Sequence, residues 1–420
     1  MKPLAIIKKY GFFAAIFTIA KATVYFVPLL LADVLTEYDF GVLEYALAGL
    51  GFVLNSLISL GVPGAFPYFI LRKKDFSIKN GFILHPIWLL FLFVCNQFAF
   101  YFFNIKIEFY LAFNVSYIIA NQVFYSVQLK SYEKSTKAVI VDSGIYLVLL
   151  LVLLLGKTNI VSINTTLISI FIVGYSLIYV FLALYKYYKA DKINKFDNYK
   201  RILKFSKNLM LSTFLIFLIT VSGRILVEYF FSFEEVGLYA FYFRLSAIVV
   251  MIHQVVNIAF FKKMYTFEAN ILDKYYYLFF MFIFTLSVVI YFVTPYVVGY
   301  FSNFFTETYI DNKGMYFLLS VQMVVWIASA LNSNIIDREN LTYKNNPKFL
   351  VLIALAMGVF YFLKDSMTLS LLVFIHFTVI FVACLIQYFS LSMKQIYFSK
   401  SIITLSLIYI LSTSYYFMYL

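Results

Sequence analysis

Three cations stand inside long apolar runs of this sequence: Lys21, Arg224 and Arg244. On insertion scales each costs about 2.5–3.5 kcal/mol near a helix centre, so together about 8–10 kcal/mol opposes insertion unless they are paired or hydrated. Fixed positive charge in such a place suits one chemistry above others, replacing part of the hydration of an anionic group inside a low-dielectric barrier. Helical spacing puts Thr18, Lys21, Tyr25 and Pro28 on one stripe, and Pro28 frees the carbonyl of Val24 beside it. Lys21 has no acidic partner on its own helix, which favours a cavity role. Thr213, Thr220, Arg224 and Glu228 share another face, so Arg224 either forms a structural salt bridge with Glu228 or lines a cavity. Arg244 has three readings: it snorkels outward, pairs with Glu44, or lines the same cavity.

Other titratable groups are sparse. His253 and Asn257 share a face roughly opposite Arg244, which reads as a histidine engaged in helix packing. Asp142 and His376 are candidates for proton coupling, because a titrating group within a span can link protonation to conformational state. Lys21, Arg224 and Arg244 are thus the candidate substrate-binding cations, and Glu228, Glu44, Asp142, His253 and His376 the candidate cavity-lining or coupling groups. His85, His253 and His376 are far apart and share no metal-ligand spacing. Cys95 and Cys384 lie in mid-run and read as plain buried thiols. The longest expected outer loop, 299–313, offers Glu307 and Asp311 but no converging acid–base set, and there is no Walker-type glycine loop. The expectation is a protein that is not an enzyme and carries no cofactor or metal.

The elements that must position these residues follow from composition. Of 420 residues 63% are apolar and 13% charged, against about 45–50% and about 25% in soluble domains. That excludes an ordinary soluble enzyme and predicts an all-α polytopic membrane protein, since a chain crossing hydrocarbon must satisfy its backbone internally and no run alternates as a barrel strand would. Apolar runs predict spans near 11–32, 40–66, 81–103, 109–129, 138–155, 165–185, 209–231, 236–261, 275–298, 314–336, 348–363 and 368–393. A thirteenth run, 401–420, is either a further span or an interfacial helix. Ala20-Lys21-Ala22 has the spacing of a leader-peptide cleavage site, but the run resumes through Leu31, so a span is the better reading.

With the N-terminus placed in the cytoplasm, 26 of the 33 Lys and Arg residues fall in inside loops and 4 in outside loops. That asymmetry supports the span list. The net charge of +13 therefore belongs to short loops facing anionic membrane lipids rather than to a nucleic-acid-binding surface. The densest basic segment divides the chain into an N-terminal six-helix bundle (1–190), a basic linker (191–208), a C-terminal six-helix bundle (209–393) and an apolar tail helix (394–420). Six is even, so the halves enter in one orientation. A shift of 196 residues pairs Lys8 with Lys204, Leu30 with Leu226 and Gly41 with Gly237. The expected outer turns, Thr36-Glu37-Tyr38-Asp39-Phe40-Gly41 and Ser232-Phe233-Glu234-Glu235-Val236-Gly237, read as helix caps.

This layout, those two turns and Ser59-Leu60-Gly61-Val62-Pro63-Gly64 resemble the polysaccharide repeat-unit flippases, in the superfamily that also holds multidrug-and-toxin exporters and the peptidoglycan-precursor flippase. The resemblance covers about residues 5–393 as organisation, and residues 29–72 and 225–265 as motif. Members usually have twelve spans, so the run at 401–420 departs from the pattern. The resemblance implies two parallel bundles around a central cavity. They would move an undecaprenyl-pyrophosphate-linked oligosaccharide across the bacterial inner membrane by alternating access, for O-antigen or capsule synthesis, with a polysaccharide polymerase and a chain-length regulator as further partners. Cavity cations would face the pyrophosphate, and aromatic rings would stack on sugars. Two alternatives stand beside it: a cation-coupled multidrug exporter of the same superfamily, and a membrane sugar polymerase or glycosyltransferase.

Overall fold

The computed structural model describes residues 3–158, 162–190, 194–253, 267–339 and 341–420. The last eight residues of the eighth predicted span (254–261), with Asn257, and residues 191–193 of the predicted basic linker lie outside the described residues. The described residues form helices joined by turns and loops, with no strand among them, and most of each predicted run coincides with helix where it is described. Among the described residues nine helices are long and apolar enough to cross a membrane, or ten if one bent pair counts as a single span. The protein is an all-α polytopic membrane protein. The remaining three runs fall short for separate reasons: the side chains of the first are described only from Ala15, the eighth runs into the undescribed segment, and the fourth is too polar.

The chain forms two compact units, Met1–Phe217 and Leu218–Leu420. In the first, α1 (Pro3–Leu31) is followed by α2 (Glu37–Ala48), α3 (Leu50–Ile58), α4 (Val62–Pro67), α5 (Leu84–Phe103), α6 (Ile107–Ser131), α7 (Ser135–Asp142), α8 (Gly144–Lys157) and α9 (Thr165–Lys189). The polar fourth run, α6, is the centre: α2 to α5 and α7 to α9 all pack against it. Several of its polar side chains are buried, and some of them find partners on α5. Asn96 and Gln97 on α5 donate to Asn114 Oδ1 at 3.3 and 2.8 Å, and Tyr110 Oη donates to Gln97 Oε1 at 2.5 Å. In an apolar medium such bonds replace water that cannot enter.

The second predicted span is not one helix to residue 66. It ends at Ile58, and Leu60 and Gly61 turn the chain with φ of 51° and 67° into α4. Gly61 also lies where a Cβ would stand 2.5 Å from the Ser206 carbonyl oxygen, so both its backbone angle and its neighbour demand glycine.

The predicted linker is also corrected. From Lys195 it is helix, continuous with the seventh span as α10 (Lys195–Thr220), so the division at 217/218 falls inside a helix rather than in a loop. The cause is amphipathicity: Lys195, Asn198, Ile202 and Ser206 form a buried stripe at helical spacing, while Lys200, Arg201, Lys204 and Lys207 are exposed. Outside the spans, Arg201 bonds Asp75 at 3.2 Å. The Ser77 hydroxyl and then Arg201 hold the Asp75 carboxyl below its ordinary value.

The second unit contains α11 (Gly223–Phe230), α12 (Phe233–Ser246), α13 (Ala269–Val298), α14 (Asn303–Arg338), α15 (Thr342–Phe362), α16 (Leu369–Ser392) and α17 (Ser399–Tyr419). Here α14 is central, packed by α12, α13, α16 and α17. It begins at Asn303, so most of the expected outer loop 299–313 is helix. Cys384 is buried beside Asn332, whereas Cys95 is exposed on α5, contrary to the buried-thiol reading.

Both acidic turns are caps. Thr36 Oγ1 accepts from Asp39 N at 3.1 Å, and Ser232 Oγ from Glu235 N at 3.4 Å. Asp39 reaches further: its Oδ1 accepts from Thr165 N (2.9 Å) and Oγ1 (2.5 Å) at the start of α9. Asp273 does the same for α17, accepting from Lys400 N at 3.0 Å, Ser401 N at 2.8 Å and Ser401 Oγ at 2.6 Å. A carboxylate at a helix N-terminus is favoured by the free N–H groups and by the helix dipole. Replacing the buried Asp273 by Ala strands three donors, with an expected loss of about 1.5–3 kcal/mol by the usual value of charged hydrogen bonds. The expected outcome is a lowered Tm of the detergent-purified protein and faster proteolysis near residue 398, while Asp273→Asn keeps part of the stability.

Candidate functional site

In the first unit the structure brings together two of the sequence candidates and adds a third charge. The backbone reverses between α6 and α7 through Glu133, at φ 57°, which sets Lys130 in the last turn of α6 beside the end of α7. Lys130 Nζ and Asp142 Oδ2 are 2.7 Å apart. Lys21, on α1, which packs along α7 and α8, is half-buried with Nζ 5.9 Å from the Phe17 ring centroid. It lies within electrostatic reach of both Asp142, which attracts it, and Lys130, which repels it. Asp142 is the last residue of α7, where the helix dipole disfavours a carboxylate; the two ammonium groups offset that. Two positive charges against one negative leave the cluster with an excess of one.

Immediately beyond Asp142 the span bends by 56° between Thr136–Asp142 and Gly144–Lys157. A Cβ on Gly144 would stand 2.0 Å from Tyr175 Oη on α9. That hydroxyl is 3.1 Å from Tyr179 Oη, and Gln122 Nε2 donates to it over 3.5 Å. The tyrosine pair thus occupies the space at the bend. In the second unit the seventh span breaks at another Ser-Gly step, Ser222-Gly223, where a Cβ would stand 2.1 Å from Tyr239 Oη.

Arg224 is the second residue of α11, just past that break. It is 2% exposed, and its guanidinium carbon is 4.7 Å from the Phe243 ring centroid and 5.9 Å from that of Tyr239. Arg244 is 7% exposed on α12, and Glu228 is half-buried on α11. All three are engaged with partners, as is the fully buried Glu44 on α2 of the first unit. The two arginines are therefore enclosed, unlike Lys21. His253 is buried edge-on to Trp326, ring centroids 6.3 Å apart, a packing position. His376, on α16, has Nε2 3.4 Å from Ser222 Oγ at the break in the seventh span. The histidines thus occupy different surroundings within the unit.

Sequence reasoning missed the other concentration of charge. Two adjoining cavities of about 300 and 330 Å³ lie where α5 begins and α6 and α9 end, and both are lined by Gln128 and Lys186. One adds Lys79, Asn80 and Lys189, the other Tyr125, Tyr132 and Tyr179. Lys186 Nζ sits 3.9 Å above the Tyr125 ring, within the range of a cation–π contact. The signal was present as Tyr175, Tyr179, Leu182 and Lys186 at helical spacing on one run, and as Gln122, Tyr125, Gln128 and Tyr132 on another.

Gly144→Ala forces the Tyr175 hydroxyl aside, at an expected cost of about 1–3 kcal/mol, the usual range for overpacking. A fall in Tm that is largely reversed by adding Tyr175→Phe is the expected result. Gly174→Ala, with no atom within 4 Å of the added carbon, does not lower Tm. An equal fall in the single and double variants would clear the hydroxyl of that role. Comparison with family models, with curated proteins and with solved structures finds no match for the chain.

Proposed function

We propose that this protein is a flippase that carries an undecaprenyl-pyrophosphate-linked oligosaccharide from the cytoplasmic to the periplasmic leaflet of a bacterial inner membrane, for O-antigen or capsule synthesis. The observation that carries the reading is the Lys21–Lys130–Asp142 cluster: a half-buried lysine in an apolar helix, in a group with one more positive charge than negative. A surplus cation within a hydrocarbon slab is costly to keep unless an anion visits it. The pyrophosphate of a lipid-linked sugar is such an anion, and its lipid tail need never leave the membrane. Two units in which acidic turns cap matching helices further support alternating access, as in the resemblance noted above. A cationic drug as cargo would call for the opposite charge balance. The N-terminus is assigned to the cytoplasm, on the lysine and arginine asymmetry of the loops.

Deletion of the gene is expected to accumulate the lipid-linked unit on the cytoplasmic leaflet, and unchanged surface polysaccharide in a strain without a paralogue refutes the reading. Lys21→Ala is expected to lower translocation about tenfold or more, equivalent to about 1.4 kcal/mol or more, with unchanged membrane insertion, and Lys21→Arg to keep most of it. Wild-type transport by the alanine variant would remove Lys21 from the mechanism.

A further inference from the structure

The paired cavities of the first unit differ from the Lys21 cluster in composition: lysines, amides and tyrosines stand in their walls among apolar side chains, with no carboxylate among the lining residues. Lys79, Lys186 and Lys189 form no salt bridge among the described residues; each instead lies near a tyrosine ring, at 5.4, 3.9 and 5.8 Å from its centroid. An ammonium over a ring face keeps N–H groups free to donate, and Asn80 and Gln128 supply amide donors in the same walls. Several cationic donors with neutral amides between them are the complement of a phosphate, which offers acceptor oxygens all round.

The surroundings decide where that phosphate comes from. The cavities open at the ends of helices long and apolar enough to cross a membrane, the level at which lipid headgroups lie. From the cavity wall, Tyr185, Phe181, Ile178 and Ile170 run along one face of α9 at helical spacing, all exposed. Gly174 lies in the same stripe, and a Cβ there would meet nothing within 4 Å, so the stripe has a notch. A headgroup in the cavity would lay an acyl chain along that stripe. A free phosphate would make no use of it.

We propose that this paired cavity is a binding site for the phosphate headgroup of an anionic phospholipid, with Lys186 at the seam between its two halves. The site adjoins the Lys21 cluster, since Leu129 and Val141 in its wall are the chain neighbours of Lys130 and Asp142. Its occupant is a membrane lipid that stays in place, not the translocated lipid-linked sugar. Lys79 and Lys189 flank the phosphate, while Tyr125 and Tyr132 form the floor beneath the bound group.

The test uses the full chain reconstituted in nanodiscs of phosphatidylcholine with and without phosphatidylglycerol, then released for native mass spectrometry. Retention of phosphatidylglycerol over phosphatidylcholine is expected, falling about tenfold in K79Q/K186Q, which corresponds to about 1.4 kcal/mol, and persisting in K186R. Equal retention of the two lipids by the wild-type protein overturns the proposal without recourse to any variant. So does an unchanged preference in a K79Q/K186Q protein that elutes as a monodisperse species. Displacement of the lipid by inorganic phosphate or pyrophosphate at matched concentration would assign the site to a free or substrate anion and equally overturn it. The flippase reading is judged on translocation by Lys21 variants, which this experiment leaves untouched.

Discussion

The constraint behind this structure is that a polar group inside the bundle has no water to turn to. Helix α6 shows the consequence. It is more polar than the nine clearest spans, yet it is the helix on which the first unit is assembled. Asn114 Oδ1 accepts from Asn96 and Gln97, and Tyr110 donates to Gln97. The central α14 of the second unit works alike: Ser320 Oγ lies 3.2 Å from Ser246 Oγ, Tyr316 Oη 2.8 Å from Thr294 Oγ1, and Gln387 donates to the Ser329 carbonyl at 3.2 Å and to Ser333 Oγ at 3.0 Å. With lipid outside as apolar as leucine, burial of hydrocarbon cannot by itself select which helices touch. Hydrogen bonds and close contacts at small residues make that selection, and Gly61, Gly144 and Gly223 are among the positions where an added Cβ would collide with a neighbour.

The same constraint sorts the charges. Arg224 is enclosed, with the Phe243 and Tyr239 rings beside its guanidinium, and it is engaged with partners. Lys21 is left half-buried beside an ion pair that already has its acid. Between these two, the physical argument for ligand contact falls on the lysine.

Much of the fold was legible in the sequence because hydrocarbon imposes one periodicity and one length on every span. The acidic turns were legible as caps, since Thr36 and Ser232 stand three residues before the backbone N–H groups they accept from. What the sequence hid were features set by residues far apart in the chain. Asp142 meeting Lys130 depends on how a three-residue reversal closes, and Tyr175 filling the space beside Gly144 depends on the angle between two helices. The continuation of α10 through the basic segment was hidden for another reason. Counting lysines by loop treats 191–208 as polar surface, whereas Ile202 and Ser206 show that one face of it is interior. The cavity lysines were counted as loop charge, but Lys186 and Lys189 belong to α9, and the tyrosine neighbours of the three come from α6, the turn that ends it, and α9.

Asp39 and Asp273 also bear on how the chain is made. Each holds the start of a helix far downstream, over sequence separations of 126 residues for Asp39 and 127 to 128 for Asp273. At roughly 5–20 residues per second of synthesis, roughly 6–25 s pass between the emergence of each aspartate and that of the helix it caps. Throughout that interval each carboxylate, half-buried at Asp39 and buried at Asp273, lacks its donors, so each unit waits for the helix that the aspartate caps. Insertion machinery that shields nascent spans from lipid would be needed for longest at these two places.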